Sequence, residues 1–242
     1  MDNRILLGML TPSSNTVLEP VTSAMLSGTP GITAHFGRFR VTEIGLGEKA
    51  LRQFDNETIL EASRLLAEAR VRVITWNGTS AGWLGFDRDR SLCAAIKETT
   101  GVPGSSSVLA LDEVFRLTGV TKFGLVAPYL HDVQAKIMEN FEREGFECVG
   151  EQHLNDPGNF SFSQFSADTI AGMVRKVAQS KPQAITIFCT NMRGAPLVAD
   201  LERETGIPIY DTVSLALWAS LRIAGVDPAR IKGWGRLFQE VR

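Results

Sequence analysis

One cysteine in this 242-residue sequence stands where a reactive group would be expected. Cys189 follows the apolar run Ala184–Phe188 and opens the polar stretch Cys-Thr-Asn-Met-Arg-Gly. Proteins with parallel strands bind ligands outside the carboxyl ends of those strands, so this position suits chemistry. A thiol can donate a proton, and a thiolate can attack carbon. The competing interpretation is an inert buried thiol, the common state of an isolated strand cysteine.

The other two cysteines fit packing roles. Cys93 lies in an amphipathic helical stretch and Cys148 in a predicted edge or core strand, and no two cysteines have the spacing of a metal-ligand pair. The sequence also lacks the glycine-rich patterns of dinucleotide and phosphate loops. We therefore expect no metal and no cofactor.

Four short apolar runs are typical of buried parallel strands, and amphipathic stretches such as Glu57–Ala69 and His131–Glu144 separate them. The runs are Ile5–Leu10, Val71–Trp76, Phe123–Ala127 and Ala184–Phe188. This alternation predicts an α/β protein in which helices cover parallel strands.

The second half of the chain repeats the first. Leu7–Pro12 matches Phe123–Pro128, and Val73–Ser80 matches Ala184–Asn191, which places Gly78 opposite Cys189. A third match relates Gly101–Val120 to Gly206–Val226. The duplication predicts two pseudo-symmetric halves, each a mainly parallel sheet flanked by helices, with the active site at their interface. We assign residues 1–110 and 215–242 to the first half, and residues 111–214 to the second.

Equivalent strand ends should bring four loops together at this interface. The loops are Pro12–Thr16, Asn77–Trp83, Pro128–His131 and Cys189–Gly194. Gly78, Thr79 and Ser80 offer hydroxyls and backbone N–H groups to an anion, although a plain strand-to-helix turn would also use them. Tyr129 adds a further hydroxyl, with packing as its alternative role.

The irregular segment Asn155–Gln164, rich in phenylalanine, could serve as a lid or pocket wall, or be an ordinary surface loop. The segment Phe36–Phe54 could line the same cleft from the first half.

Charge and hydropathy limit the function classes. The 25 basic residues nearly balance the 27 acidic ones, which gives no footprint for nucleic acid. The first apolar run is too short for a membrane span or signal peptide, so we expect a cytoplasmic protein. A small molecule is the expected partner, and both a monomer and a homo-oligomer are compatible with the sequence.

Taken in order, these motifs resemble the aspartate/glutamate racemase superfamily, in particular its arylmalonate decarboxylase and maleate isomerase branch. The first loop, with Pro12, Ser13 and Asn15, resembles the isomerase type. The decarboxylase-like features are Gly78-Thr-Ser80, Ala127-Pro-Tyr129, Cys189 and the terminal Gly233-Trp-Gly-Arg-Leu-Phe238.

The resemblance implies a single-thiol reaction, because racemases and isomerases of this superfamily carry a cysteine in each half and the decarboxylases have the vacancy found here at Gly78. It implies that Thr79, Ser80 and Tyr129 hold a carboxylate of a small malonate-type dicarboxylate as it becomes an enediolate. Cys189 would then protonate that intermediate.

The residues after the cysteine depart from the decarboxylase, which has glycine there. Thr190, Asn191 and Arg193 predict a more polar entrance, and Asn15 with Arg193 could bind the second carboxylate. Two alternatives stay open. One is a maleate-type isomerase or racemase in which water, Ser13 or Ser80 replaces the missing thiol, and the other is a non-catalytic dicarboxylate-binding protein.

Overall fold

A computed structural model describes residues 4–41, 44, 46–47 and 56–242. These residues form two four-stranded sheets, and every strand pair within them is parallel. The first sheet contains β1 (Ile5–Pro12), β2 (Ile32–Phe39), β3 (Val73–Trp76) and β4 (Gly104–Ser106). The second contains β5 (Lys122–Ala127), β6 (Glu147–His153), β7 (Ala184–Ile187) and β8 (Ile209–Asp211). The spatial orders, β2-β1-β3-β4 and β6-β5-β7-β8, are the same, which confirms the predicted fold class of two similar halves.

Helices connect the strands and cover the sheets. They are α1 (Leu18–Leu26), α2 (Asn56–Glu68), α3 (Ala81–Leu84), α4 (Phe86–Thr100), α5 (Ser107–Thr118), α6 (His131–Arg143), α7 (Ala167–Ala178), α8 (Val198–Thr205), α9 (Thr212–Ile223) and α10 (Leu237–Glu240). Short 3-10 turns occupy Phe160–Gln164, Ala195–Leu197 and Pro228–Arg230. No helix in the described ranges is both long and apolar enough to cross a membrane.

The residues that end and begin equivalent helices are also repeated between the halves. Gly101 and Gly206 end α4 and α8 with φ of 73° and 74°, the left-handed conformation that glycine adopts most easily. Ser106 and Asp211 cap α5 and α9 by accepting hydrogen bonds from backbone N–H groups of the first turn. The repeated caps place the same strand-to-helix connection at the same point of each half.

The predicted apolar runs correspond to β1, β3, β5 and β7, the inner strands of the two sheets. Their side chains are largely buried, as continuous apolar runs predict. The outer strands were not predicted, apart from the strand expected around Cys148, which is β6. The strands β2 and β6 are largely half-exposed, and β4 and β8 have only three residues each, so their hydrophobic patterns are weak.

The helix that follows the last strand of each sheet packs against the other sheet. Phe115 of α5 packs its ring 5.4 Å from that of Phe123 on β5, in the second sheet. In the other direction, Ser220 of α9 shares a buried 2.7 Å hydrogen bond with Thr75 on β3, in the first sheet. The exchange joins the sheets through a common core. The assignment of residue ranges to two domains stays a prediction.

One buried carboxyl in α4 makes stability depend on pH. Asp89 is 1% exposed, and burial raises its pKa to about 7, although the Ser106 hydroxyl and the Arg88 charge act in the opposite direction. Neither Asp89 oxygen has a partner with hydrogen-bond geometry among the described residues. The folded protein therefore binds more protons here than the unfolded chain between about pH 4 and pH 7.

We predict that Asp89→Asn raises the free energy of unfolding, relative to that of the wild type, by more at pH 8 than at pH 5. With its raised pKa, Asp89 lowers the free energy of unfolding as the pH rises through the window from about 4 to 7, and a neutral amide removes this loss. Thermal unfolding at pH 5, 6, 7 and 8 should show the Tm of the variant gaining on that of the wild type. Asp87→Asn is the matched control, because the Asp87 side chain is 94% exposed in the same helix turn. Parallel pH profiles for Asp89→Asn and the wild type would contradict the prediction.

Candidate active site

A cavity lies where the four loops meet, at the carboxyl ends of β1, β3, β5 and β7. Its free space, including the mouth, is about 330 Å³. The lining residues are Pro12, Asn15, Val41, Ile44, Trp76, Gly78, Thr79, Ser80, Trp83, Tyr129, Asn159, Cys189, Thr190 and Asn191. All of these side chains are neutral, and both halves contribute to the wall.

Cys189 lies immediately beyond β7 and is only 3% exposed. Burial raises the pKa of its thiol to about 12. Hydrogen bonds from the Tyr129 hydroxyl and from the backbone N–H groups of Asn191 and Met192 oppose that rise, while the Asp211 carboxylate adds to it. The resting group at neutral pH is therefore the thiol, and donors already surround the sulfur that would become a thiolate.

Two hydroxyls and the thiol form a continuous chain of contacts. Thr79 Oγ1 and the Tyr129 hydroxyl share a 2.5 Å hydrogen bond, and the same tyrosine hydroxyl bonds to Cys189. Burial raises the pKa of Tyr129 well above its usual range, so it stays a neutral hydroxyl. Trp83 and Phe162 pack edge-on against the tyrosine ring with centroids 5.3 and 5.6 Å away. This packing fixes the hydroxyl beside the sulfur.

Ser80, next to Thr79 in the chain, adds a third hydroxyl-bearing residue to the cavity wall. It is 2% exposed and precedes α3 without capping it through its side chain. Thr79, Ser80 and Tyr129 thus form a polar side that could hold the oxygens of a carboxylate. Charge that develops on such oxygens is stabilised by donors positioned in advance.

Asn15 and Thr190 lie in the cavity wall and bond to each other across the interface. Asn15 Nδ2 donates to Thr190 Oγ1 at 3.1 Å, and Thr190 Oγ1 donates to the Asn77 carbonyl at 3.0 Å. Asn15 Oδ1 accepts from the backbone N–H groups of Val17 and Leu18, both at 2.9 Å, at the start of α1. These groups join three of the four loops.

Asn191 connects the cysteine loop to the first loop and to the segment Asn155–Gln164. Its Nδ2 donates to the Asn159 carbonyl at 2.6 Å, and its Oδ1 accepts from the Thr16 N–H at 3.0 Å. Asn159 Nδ2 in turn donates to the Val41 carbonyl at 3.3 Å. The structure therefore places one residue of Asn155–Gln164 in the cavity wall.

The segment Phe36–Phe54 contributes Val41 and Ile44 to the wall. Its residues 42–43, 45 and 48–54 lie outside the described residues.

Two predicted binding residues do not line the cavity. Arg193 is exposed and donates to the Phe165 carbonyl at 3.1 Å, because the turn after Asn191 buries Met192 and directs the next side chain outward. Ser13 is also exposed, and its hydroxyl exchanges hydrogen bonds with the backbone of Val41. Pro12 and Asn15 of the same first loop do line the cavity, and the binding roles of all four residues stay predictions.

Trp76 is a wall residue that sequence reasoning treated only as the end of a strand. It is 1% exposed, and its ring packs 5.1 Å from that of Phe39. A Cβ atom added at Gly78 would lie 1.9 Å from Trp76 Cζ2, far inside van der Waals contact. The alignment of the two halves could have pointed to Trp76. It pairs Trp76 with Ile187, and these residues lie two positions before Gly78 and Cys189.

The paired parallel sheets and the buried cysteine at their interface define a class of α/β protein with a thiol site between similar halves. Residues 8–238 match the arylmalonate decarboxylase family model, and the chain belongs to that family. The resemblance to the decarboxylase and isomerase branch is thereby confirmed.

Named relatives carry two different activities. The chain is 24% identical over 207 residues to arylmalonate decarboxylase of Bordetella bronchiseptica, which covers 84% of this chain and 86% of that enzyme. It is 28% identical over 244 residues to maleate isomerase of Nocardia farcinica, covering 97% and 95%. A serine-for-cysteine mutant of the Nocardia farcinica maleate cis-trans isomerase, with a covalently bound succinylcysteine intermediate, superposes with a TM-score of 0.89 at 25% identity, covering 98% of each chain.

We predict that alkylation of Cys189 is slow at pH 8 and accelerates continuously toward higher pH. The thiolate is the nucleophile, and at pH 8 the pKa of about 12 leaves about 2,000-fold less thiolate than an unperturbed thiol of pKa about 8.5 would have. Mass spectrometry of iodoacetamide-treated protein at pH 7 to 10 measures the rate at each cysteine.

Ser27→Cys supplies an exposed reference thiol for this measurement, since Ser27 lies on the surface at the end of α1. The reference rate should level off above about pH 9, whereas the Cys189 rate should keep rising about tenfold per pH unit. A Cys189 rate that levels off with the reference would show an ordinary thiol.

Proposed function

We propose that this protein catalyses the cofactor-free decarboxylation of a small substituted malonate, with Cys189 as the proton donor. The observation that carries the proposal is a single buried thiol facing three hydroxyls, with an indole ring where a second thiol would project. One proton donor suits a reaction that protonates carbon once. A racemase or a two-thiol isomerase needs a group on each side of the substrate.

The polar side of the cavity would hold the carboxylate that stays. Hydroxyls of Thr79, Ser80 and Tyr129 bind its two oxygens, and their hydrogen bonds strengthen as negative charge accumulates on the enediolate. The bond between the α-carbon and the other carboxylate breaks, and its electron pair enters the enediolate as carbon dioxide leaves. The proton of Cys189 Sγ then forms the new bond at the α-carbon.

The surroundings of the sulfur suit both ends of that proton transfer. Burial keeps the thiol protonated before the reaction, because its pKa is about 12. The backbone N–H groups of Asn191 and Met192 stabilise the thiolate that remains while the Tyr129 hydroxyl holds the substrate. A proton from solvent restores the thiol, so that malonate dianion and one proton become monoanion and carbon dioxide.

The apolar part of the cavity wall favours loss of charge. Pro12, Val41, Ile44 and Trp76 contribute this apolar surface, and every lining side chain among the described residues is neutral. A second carboxylate placed there exchanges its hydration for an apolar surface, which raises the free energy of the dianion more than that of carbon dioxide. The limited volume points to a small α-substituent.

The second candidate is a maleate-type isomerase. The 28% identity to a maleate isomerase over nearly the whole chain favours it, together with the succinylcysteine intermediate of a structural neighbour. In this reaction Cys189 adds to the double bond as a thiolate and leaves after rotation about the resulting single bond. The raised pKa of Cys189 favours the acid role over this nucleophilic role.

Proton NMR in deuterium oxide with substituted malonates and maleate distinguishes the two. We expect carbon dioxide release and one deuteron at the α-carbon of the product, with both signals lost in Cys189→Ser. Cys93→Ser is the matched control, because Cys93 lies in α4 and outside the cavity wall, and it should keep wild-type turnover. Conversion of maleate to fumarate without carbon loss would replace the proposal with the isomerase.

We predict that Thr79→Val lowers kcat by about 100- to 1,000-fold, the usual effect of removing one oxyanion donor. Valine keeps the shape of threonine but removes its hydrogen bond to Tyr129, so circular dichroism should match the wild type while the Tm falls by a few degrees. Thr121→Val, at an exposed position before β5, is the control and should not change kcat. A rise in KM with an unchanged kcat would mean that Thr79 binds the substrate without stabilising the enediolate.

A further inference from the structure

The Trp76 indole occupies the space that a side chain at Gly78 would need. The atoms closest to an added Cβ are Trp76 Cζ2, Cε2 and Cη2, at 1.9, 2.4 and 2.5 Å. All three are carbons of the six-membered ring, and none of them carries an ionisable proton; the one donor of the indole, Nε1–H, adjoins Cε2. The ring also lines the cavity.

We infer that Trp76 determines the configuration of the product by closing the substrate face opposite Cys189 to protons. This inference rests on the proposed decarboxylation and extends it to a residue outside the hydroxyl and thiol set. The duplication places Gly78 and Cys189 at equivalent loop positions of two facing halves. The indole therefore stands on the side from which a second thiol would reach the same carbon.

A ring on the face opposite Cys189 would prevent protonation from that face. An enediolate is planar at the α-carbon and accepts a proton on either face. Cys189 supplies one face, while a water molecule on the other would form the mirror-image product. The indole fills the space that such a water would need, and its carbon face offers water no hydrogen-bond partner.

The ring is held firmly enough to act as a shield. Trp76 ends β3, is 1% exposed and packs against Phe39 at 5.1 Å. Its backbone carbonyl accepts a 3.5 Å hydrogen bond from the Ser107 hydroxyl at the start of α5. A buried ring at the end of a central strand has few ways to move aside.

The first test measures product configuration. A prochiral substituted malonate that the wild type turns over is converted by the wild type, Trp76→Phe and Trp76→Ala, and the enantiomers are separated by chiral chromatography. We expect one enantiomer from the wild type, and the minor enantiomer from Trp76→Ala to increase at least tenfold. The fraction of the minor enantiomer from Trp76→Phe should lie between those of the wild type and Trp76→Ala. This variant keeps an aromatic ring, so it provides a test if Trp76→Ala does not fold. Unchanged enantiomer ratios in both active variants would overturn the inference.

The second test installs a thiol on the shielded face. Gly78→Cys alone should leave the product enantiomers interconverting slowly, because the indole fills the site. The double variant Trp76→Ala/Gly78→Cys should exchange the α-proton and racemise the product at least tenfold faster, and adding Cys189→Ser should stop it. Equal racemisation by Gly78→Cys with and without Trp76 would show that the ring does not block the position.

A stability cycle tests the steric contact without any substrate. Gly78→Ala should lower the Tm by about 5 °C in the wild type and by much less in Trp76→Ala, as expected for relief of overpacking. Absence of carbon dioxide release by the wild type would refute the proposed function while leaving this coupling intact. Equal Tm losses in the two backgrounds would refute the role of Trp76 itself.

Discussion

The hydrogen bond between Asn15 and Thr190 is the constraint on which the cavity depends, because it joins the first loop to the cysteine loop within the cavity wall. Thr190 also binds the Asn77 carbonyl, and Asn191 binds Thr16 and Asn159. The side chains of Asn15, Thr190 and Asn191 are buried, so losing a partner would leave a desolvated donor or acceptor. The loops are consequently fixed to each other before a ligand arrives, which is the preorganisation that electrostatic stabilisation requires.

The asparagines and Thr190 use their polar groups to hold the loops together. Few polar groups of the cavity therefore remain to bind a charged ligand. Thr79, Tyr129 and Cys189 form one contact chain on the polar side. The nearest buried carboxyl, Asp211, has a pKa raised to about 7 by burial and raises the pKa of Cys189 further. The site thus combines neutral walls with an acid that gives up its proton only to a strong base such as an enediolate carbon.

The inner strands and the position of Cys189 could be predicted from the sequence, because buried parallel strands leave continuous apolar runs and duplication aligns their ends. The outer strands could not, since β2 is largely half-exposed and β4 is only three residues long. The outward direction of Arg193 depends on the turn that buries Met192, and the roles of Asn15 and Asn191 depend on contacts 175 residues apart in the chain. Such contacts have no local sequence signal.

Duplication creates symmetry, and this chain departs from it at two coupled positions. Gly78 aligns with Cys189 in the duplication, and Trp76 aligns with Ile187. A thiol at position 78 and the indole at position 76 cannot occupy the same space, since a Cβ there would lie 1.9 Å from the ring. Glycine at 78 is therefore a steric requirement of the tryptophan, and the tryptophan fills the volume that glycine leaves. A return to a symmetric two-thiol site needs both residues to change, because either change alone produces a clash or a void.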